Sequence, residues 1–213
     1  MPRDRLTITL QPEVIAAADL LVDGSRIRNR SHAIEHLMKE GLALAQFRQA
    51  FLFVEPDWQP ELFTQLLERC ADAGIKHLFL SLSSSLLSSL ADLQTLIAAS
   101  PYPFTSEVVP ADFGSGGAIA LKKAQLTTPF LLAWVTSHTV LPTSLIPAYT
   151  FHRSQQAVVT QLLTPTDNSY SFSQLAIANP DLSLYVPAGM VELEQSVFPE
   201  LLNLGKLSTY ATH

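Results

Sequence analysis

Phe130-Leu-Leu-Ala-Trp-Val135 runs six residues without a polar break. A run this short and this apolar reads as a strand buried on both faces, the kind found in parallel sheets. Working outward from it, Phe51-Leu-Phe-Val54 reads as a second buried strand, and residues 75–82 and 104–109 as two more. Helical patterns separate them. Leu62, Phe63, Leu66, Leu67, Cys70 and Ala73 form one stripe that stops at Gly74, and residues 86–99 and 118–125 supply two further helices. After the apolar run, residues 145–153 read as a helix and residues 157–163 as a β-branched strand. The alternation predicts a three-layer α/β domain over residues 51–213, built on a mostly parallel sheet.

The chain of 213 residues is 47% hydrophobic and 15% charged, which is ample material for a core. No apolar run reaches the roughly 20 residues of a membrane span, and Met1-Pro-Arg-Asp4 opens no signal peptide. One cysteine, Cys70, excludes an intramolecular disulfide and points to a reducing cytoplasm, with no membrane among the expected partners.

The net charge of −6 is unevenly spread. Residues 1–48 hold seven of the 13 basic and six of the 19 acidic side chains, so they are +1 and the remainder −7. Such asymmetry predicts two units with different partners. In the first, Leu6, Ile8 and Leu10 alternate with Arg5, Thr7 and Thr9, the period of a half-buried strand. Pro12 suits the start of a helix carrying Val14, Ala17, Ala18 and Leu21, and Gly24 suits its end. Asn29 or Ser31 can cap a second helix with an apolar stripe through Ile34, Leu37, Met38, Gly41, Leu42 and Ala45. A lone strand leaves both edges open, so two copies pairing as a homodimer are expected. Their ribbon would present Arg5, Thr7 and Thr9 outward, in a shape that enters the major groove of DNA.

On these residues the segment resembles the ribbon-helix-helix repressors, the group that includes MetJ and Arc. The resemblance covers Arg5-Leu-Thr-Ile-Thr-Leu10, the Gln11-Pro-Glu-Val14 helix start, Gly24, and Asn29-Arg-Ser-His-Ala-Ile34. It implies a DNA-binding and dimerisation domain over residues 1–48. Arg3, Arg5, Thr7 and Thr9 would meet double-stranded DNA from the ribbon; Asn29, Arg30 and Ser31 would meet phosphate from the second helix.

Residues 51–213 resemble a second family, the Rossmann-like sugar-phosphate nucleotidyltransferases. The resemblance runs through residues 60–75, Gly114-Ser-Gly-Gly-Ala-Ile-Ala-Leu-Lys-Lys-Ala124, residues 145–165 with Phe151-His-Arg153, and residues 189–210 with Val197-Phe-Pro-Glu-Leu-Leu202. It implies that Gly114, Ser115, Gly116 and Gly117 lie against a nucleotide or nucleotide sugar. Glycines allow close backbone approach, although a tight turn needs them too.

The departures from that family are specific. It places a basic glycine-rich loop after its first strand, whereas Glu55-Pro-Asp-Trp-Gln-Pro60 holds no glycine, lysine or arginine. It places a magnesium-binding aspartate after the strand here read at residues 130–135, whereas Thr136-Ser-His138 holds no carboxylate. The expectation is therefore a degenerate domain with no catalytic residues, no metal and no cofactor. His32 and His36 lack a third ligand; Cys70 reads as a buried hydrophobe; the serines of residues 81–89 lack a nucleophile elbow; His152 and Arg153 suit a helix end.

The whole sequence thus reads as a homodimeric DNA-binding transcriptional regulator, not an enzyme, with a sensor or assembly domain. Two rival readings are an active or residual nucleotidyltransferase with a dimerisation strand, and an antitoxin-like or partition-like interaction module.

Overall fold

The computed structural model describes residues 9–44, 46–167 and 169–212. The chain divides into two compact units, Met1–Ala45 and Gln46–His213.

The first unit holds α1 (Pro12–Leu20) and α2 (Arg30–Leu44). Pro12 opens α1, where its missing N–H costs nothing. The turn between the helices is organised by Asp23, whose Oδ1 accepts the N–H groups of Ser25 and Ile27, both at 2.9 Å. Gly24 adopts φ +74° in that turn. Asn29 Oδ1 accepts the N–H of His32 at 3.0 Å and so caps α2. Ala18, Ile27 and Ala33 form the small core, with Leu21 and Ile34 packed against it. Leu37 and Met38 of the expected apolar stripe are exposed.

A ribbon-helix-helix unit is not shown. Arg3, Arg5 and Thr7 lie outside the described residues, and Thr9 and Leu10 belong to no strand. Two of the three residues expected to meet phosphate make bonds within this unit. Arg30 grips Asp19 with two hydrogen bonds, Nε to Oδ1 at 2.7 Å and a terminal nitrogen to Oδ2 at 2.6 Å. Asn29 spends its side-chain oxygen on the cap; Ser31 is an exposed residue of α2.

The second unit is a seven-stranded mixed sheet with helices. In chain order it runs β1 (Gln49–Val54), α3 (Pro60–Asp72), β2 (His77–Leu82), α4 (Leu90–Ala99), β3 (Thr105–Pro110), α5 (Gly114–Leu121) and β4 (Phe130–Val135). It continues through α6 (Ile146–Ser154), β5 (Val159–Pro165), β6 (Tyr170–Ala178), α7 (Phe198–Asn203) and β7 (Leu207–Ala211). The sheet order is β3-β2-β1-β4-β6-β5-β7. The pairs β1–β2, β2–β3, β1–β4 and β5–β7 are parallel, while β6 runs antiparallel to both β4 and β5.

Strand alternation assigns the core. Phe51, Phe53, Phe79, Phe130, Leu132 and Trp134 share one face and pack with Ile119 of α5 and Phe198 and Leu201 of α7. Phe51 and Phe79 stack across β1 and β2 at 4.5 Å between ring centroids. Leu52, Leu78, Leu80, Leu131 and Ala133 point to the other face and are buried as well. The buried stripes of α3 (Phe63, Leu66, Leu67, Cys70) and α4 (Leu93, Ile97) belong with that face. The reason is handedness. The chain steps β1 to β2 to β3 in one direction through right-handed crossovers, then returns past β1 to form β4, so α5 must cross the opposite face.

Three expectations are corrected. The hairpin strand β6 and the edge strand β7 were missing from the sequence reading. In residues 189–210, where the resemblance implies a late helix, the helix is the short α7, preceded by a π-helical turn (Leu193–Val197) and followed by β7. Gly114–Gly117 is not a loop before a helix but the buried first turn of α5 itself.

Candidate functional site

In an open α/β sheet the ligand crevice lies beyond the C-terminal ends of the strands, where the order reverses. Here that point falls between β1 and β4, the two strands that separate the outward and return halves of the winding. The residues past those ends are Glu55–Gln59 and Thr136–Thr139.

The chain leaves β1 in a turn, with the Trp58 N–H donating to the Glu55 carbonyl at 3.1 Å. Trp58 then contacts Phe63 edge to face, with ring centroids 6.0 Å apart. Trp58 precedes the N-cap Gln59, and Phe63 is the fourth residue of α3, so the pair is a hydrophobic staple that sets the entry to the helix. The Glu55 N–H donates to Val135 O at 3.1 Å, keeping the ends of β1 and β4 together. Thr139 folds the β4 end: its Oγ1 donates to Trp134 O at 2.6 Å and accepts the Thr136 N–H at 2.9 Å.

Asp57 reaches across this point. Its Oδ2 accepts both the N–H of Ser137 at 3.0 Å and the Ser137 hydroxyl at 2.5 Å. These bonds, the hydroxyl first, hold the Asp57 carboxyl below its ordinary pKa. The expectation that no carboxylate stands at residues 136–138 is therefore corrected in space, though not in sequence. The acid arrives from the β1 loop.

On the other side, the first turn of α5 is stitched to residues 191–193. Gly116 N–H donates to Val191 O at 2.8 Å and Val191 N–H to Phe113 O at 2.9 Å. Ser115 gives both its N–H (3.1 Å) and its hydroxyl (2.8 Å) to Glu192 Oε2. Gly114 sits at φ +73°, and a Cβ there would lie 2.5 Å from Val191 O. A Cβ on Gly117 would lie 2.3 Å from that of Phe113. All four residues of the turn are buried. Gly114, Gly116 and Gly117 therefore serve close packing on Val191 and Phe113, while Gly114 and Ser115 also line the crevice.

The crevice is a small cleft of about 70 Å³, walled by Glu55, Ser81, Ser83, Ser115, Trp134 and Glu192 among others. No lysine, arginine or histidine is among its lining residues. Desolvation, then the charges of Glu192 and Asp57, raise the Glu55 carboxyl above its ordinary pKa. Desolvation, followed by Glu192 and Glu55, does the same to Glu194. Two of these carboxylates, Glu55 and Glu192, line the cleft.

Among the described residues no three Asp, Glu, His or Cys side chains converge as a metal cage. Magnesium in phosphoryl transfer needs less: one or two carboxylates, with the substrate phosphates completing the shell. Asp57, seated at the end of β4, and Glu55, whose charge is opposed by its neighbours, fit that donor set. They would hold the ion, and it would neutralise phosphate charge.

No family model matches the sequence. No curated protein matches it either. Solved structures do. A protein assigned as a glucose-1-phosphate thymidylyltransferase from Bacillus anthracis, in complex with a sucrose, superposes with TM-score 0.61 at 11% identity, covering 78% of this chain and 87% of that one. HddC from Yersinia pseudotuberculosis superposes with TM-score 0.59 at 14% identity, covering 78% and 91%. An inositol-1-phosphate CTP transferase from T. maritima gives TM-score 0.56 at 9% identity, covering 78% and 86%. The fold is thus a nucleotidyltransferase-like fold over most of the chain.

These likenesses overturn the reading of the chain as a DNA-binding transcriptional regulator without enzymatic activity. The matched structures carry the names of nucleotidyltransferases, and none of those named here is a DNA-binding regulator. Among the described residues no helix is long and apolar enough to cross a membrane.

Sequence reasoning missed Glu55, Asp57 and Glu192. Glu55 and Asp57 had a signal, since they directly follow the first buried strand. Glu192 had none, because 77 residues separate it from Ser115.

Proposed function

We propose that residues 46–213 act as a nucleotide-transfer enzyme, joining a nucleotidyl group from a nucleoside triphosphate to a small phosphorylated acceptor such as a sugar phosphate. An acceptor phosphate oxygen attacks the α-phosphorus, the bond to the β-phosphate oxygen breaks, and pyrophosphate leaves. The observation that carries this reading is the cleft at the β1–β4 switch point of a fold otherwise met in nucleotidyltransferases. The Gly114–Gly117 turn, with Ser115, would border the nucleotide or sugar.

The cleft's charge shapes the mechanism. No basic side chain lines it, so a divalent ion accompanying the nucleotide would supply the charge that offsets the phosphates. Glu55, in the cleft wall, and Asp57, at the end of β4, are the carboxylates that would hold it. Removing a single electrostatic donor from a preorganised site costs on the order of 10²–10³ in rate in an acyl-transfer enzyme, so slow turnover is expected.

The test is pyrophosphate release from each of the common nucleoside triphosphates with magnesium and a panel of hexose 1-phosphates. Release above the protein-free background, reduced by Glu55→Gln and by Asp57→Asn, supports the reading. Background release across the whole panel overturns it.

A further inference from the structure

The outer strand β3 pairs only with β2, and its register runs unbroken from Thr105 to Pro110. The Thr105 N–H donates to Lys76 O at 2.9 Å and the Ala111 N–H to Leu82 O at 3.2 Å. In a parallel strand alternate residues turn both backbone groups to the same neighbour. Thr105, Glu107 and Val109 therefore bond β2, while Ser106 and Val108 point their N–H and C=O groups outward. Natural edges are blunted by lysine or by bulges, and this stretch carries neither. Thr105 and Ser106 are exposed.

The side chains divide by the same alternation. Val109 enters the core with Ile119 of α5, and Glu107 pairs with Lys122, just past the end of α5. Phe104, Ser106 and Val108 lie on the opposite face, that of α4. Between α4 and the edge runs a groove of about 530 Å³, lined by Ile97, Pro101, Tyr102, Phe104 and Ser106 among others, with no charged residue.

This strand is complementary to itself. Turned about a two-fold axis at Glu107, a second β3 runs antiparallel and sets Ser106 of each copy opposite Val108 of the other. Each of these pairs exchanges two N–H···O=C bonds. The next pair along the same row is Phe104 opposite Pro110. The Phe104 N–H is already given to Tyr102 O at 3.0 Å, and proline has none, so no donor is stranded where the ladder ends. Opposite residues share a face, so Val108 and Pro110 of the added strand fall on the uncharged groove beside Ser106 and Phe104. On the other face Glu107 meets its own copy. Facing carboxylates repel, but each brings its Lys122, so the charges balance. One segment thus supplies the donors, the acceptors, the apolar filling for the groove and the balancing charges. That is why the occupant is a second copy and not an unrelated strand.

We infer that the chain self-associates through β3, edge to edge about a two-fold axis at Glu107, joining two sheets into one. The inference stands apart from the nucleotide-transfer reading.

The experiment is sedimentation of the full chain together with residue-resolved amide hydrogen exchange. In the wild type, exchange at Ser106 and Val108 should slow by about tenfold or more between about 1 and 100 μM protein, as association covers the edge. Ser106→Pro removes an outward N–H and leaves the β2 ladder intact, since proline is tolerated on an edge. It should weaken association by about tenfold or more, the size of two lost backbone bonds. Ser106→Ala, which keeps the N–H, should associate like the wild type. A monomer whose Ser106 and Val108 amides exchange freely overturns the inference and leaves the edge to an extended segment of another protein. Protection that does not change with concentration overturns it as well, because the edge is then covered within one chain. Association that leaves both amides unprotected, or that survives Ser106→Pro unaltered, runs through another face and also overturns it.

Discussion

Ser115 donates its N–H and its hydroxyl to the same oxygen of Glu192, across 77 residues of sequence. Ser137 does the same for Asp57 across 80 residues. Two serines on opposite sides of the β1–β4 switch point thus fix two carboxylates, and Glu55 lies where it feels both. The arrangement explains how a cleft without basic residues keeps its acids in place: each fixed charge is bound by two donors rather than left to its neighbours.

Ser115→Ala removes two hydrogen bonds at a buried position, the hydroxyl's bond to Glu192 and the one it accepts from Leu193, and leaves the backbone N–H bond to Glu192 in place. The loss should be about 1–3 kcal/mol of stability, because the Leu193 N–H is buried and loses its acceptor. Urea unfolding of the variant against the wild type measures it; a change within about 0.3 kcal/mol would contradict the network's role.

Gly114→Ala and Gly24→Ala separate strain from steric conflict. Both glycines have positive φ, near +73° and +74°, so both alanines bear the left-handed penalty of about 1–2 kcal/mol. Only Gly114 has a backbone oxygen 2.5 Å from the added Cβ; Gly24 has nothing within 4 Å. Gly114→Ala should therefore be clearly the worse of the two in thermal melts. Equal shifts in Tm would mean that the packing on Val191 yields freely.

His152 is buried, at 1% exposure, with Nδ1 2.8 Å from Thr160 Oγ1, which lies 2.7 Å from Ser208 Oγ. Desolvation lowers its pKa from 6.5. Below pH 6.5 the unfolded chain takes a proton that the folded chain resists, so stability present above that pH is lost as pH falls. His77, also lowered chiefly by desolvation, contributes with the same sign. Stability measured from pH 7.5 to 5 should fall, and His152→Phe should flatten part of the slope. An unchanged slope would assign the effect elsewhere.

Asp57 gives the acid counterpart. Its pKa is lowered by Ser137, so its contribution is present above the ordinary aspartate range and is lost as pH falls through the lowered value. Asp57→Asn should remove that pH dependence below about pH 4. The same variant should weaken magnesium-dependent nucleotide binding, which calorimetry reads separately from stability.

Cys70 is fully buried on α3, and burial pushes its thiol up to about 12. A neutral thiol without solvent access does not react. Labelling by an aromatic disulfide reagent at pH 8 should proceed only at the rate of opening and accelerate with urea. Immediate stoichiometric labelling in buffer would show that α3 opens locally.

Much of the α/β unit was legible from local signals. Apolar runs such as Phe130–Val135 carry strand identity in themselves, and the stripe from Phe63 to Cys70 carries the helix, because burial on two faces or on one demands those patterns. Gly24 and Asn29 announced the turn and the cap of the helical pair. The strand β6 was less visible. Its first residues, Tyr170-Ser-Phe-Ser, are half polar and become a strand only because β5 offers an antiparallel edge. The site was decided by tertiary structure. A carboxylate's partner depends on where the chain returns, and the crossover past β1 is what brings Asp57 to Ser137 and Glu192 to Ser115. By itself the sequence determined which segments must be buried, since side-chain hydrophobicity acts residue by residue. Which charges face one another was left to the folded chain, because that depends on distances no local pattern contains.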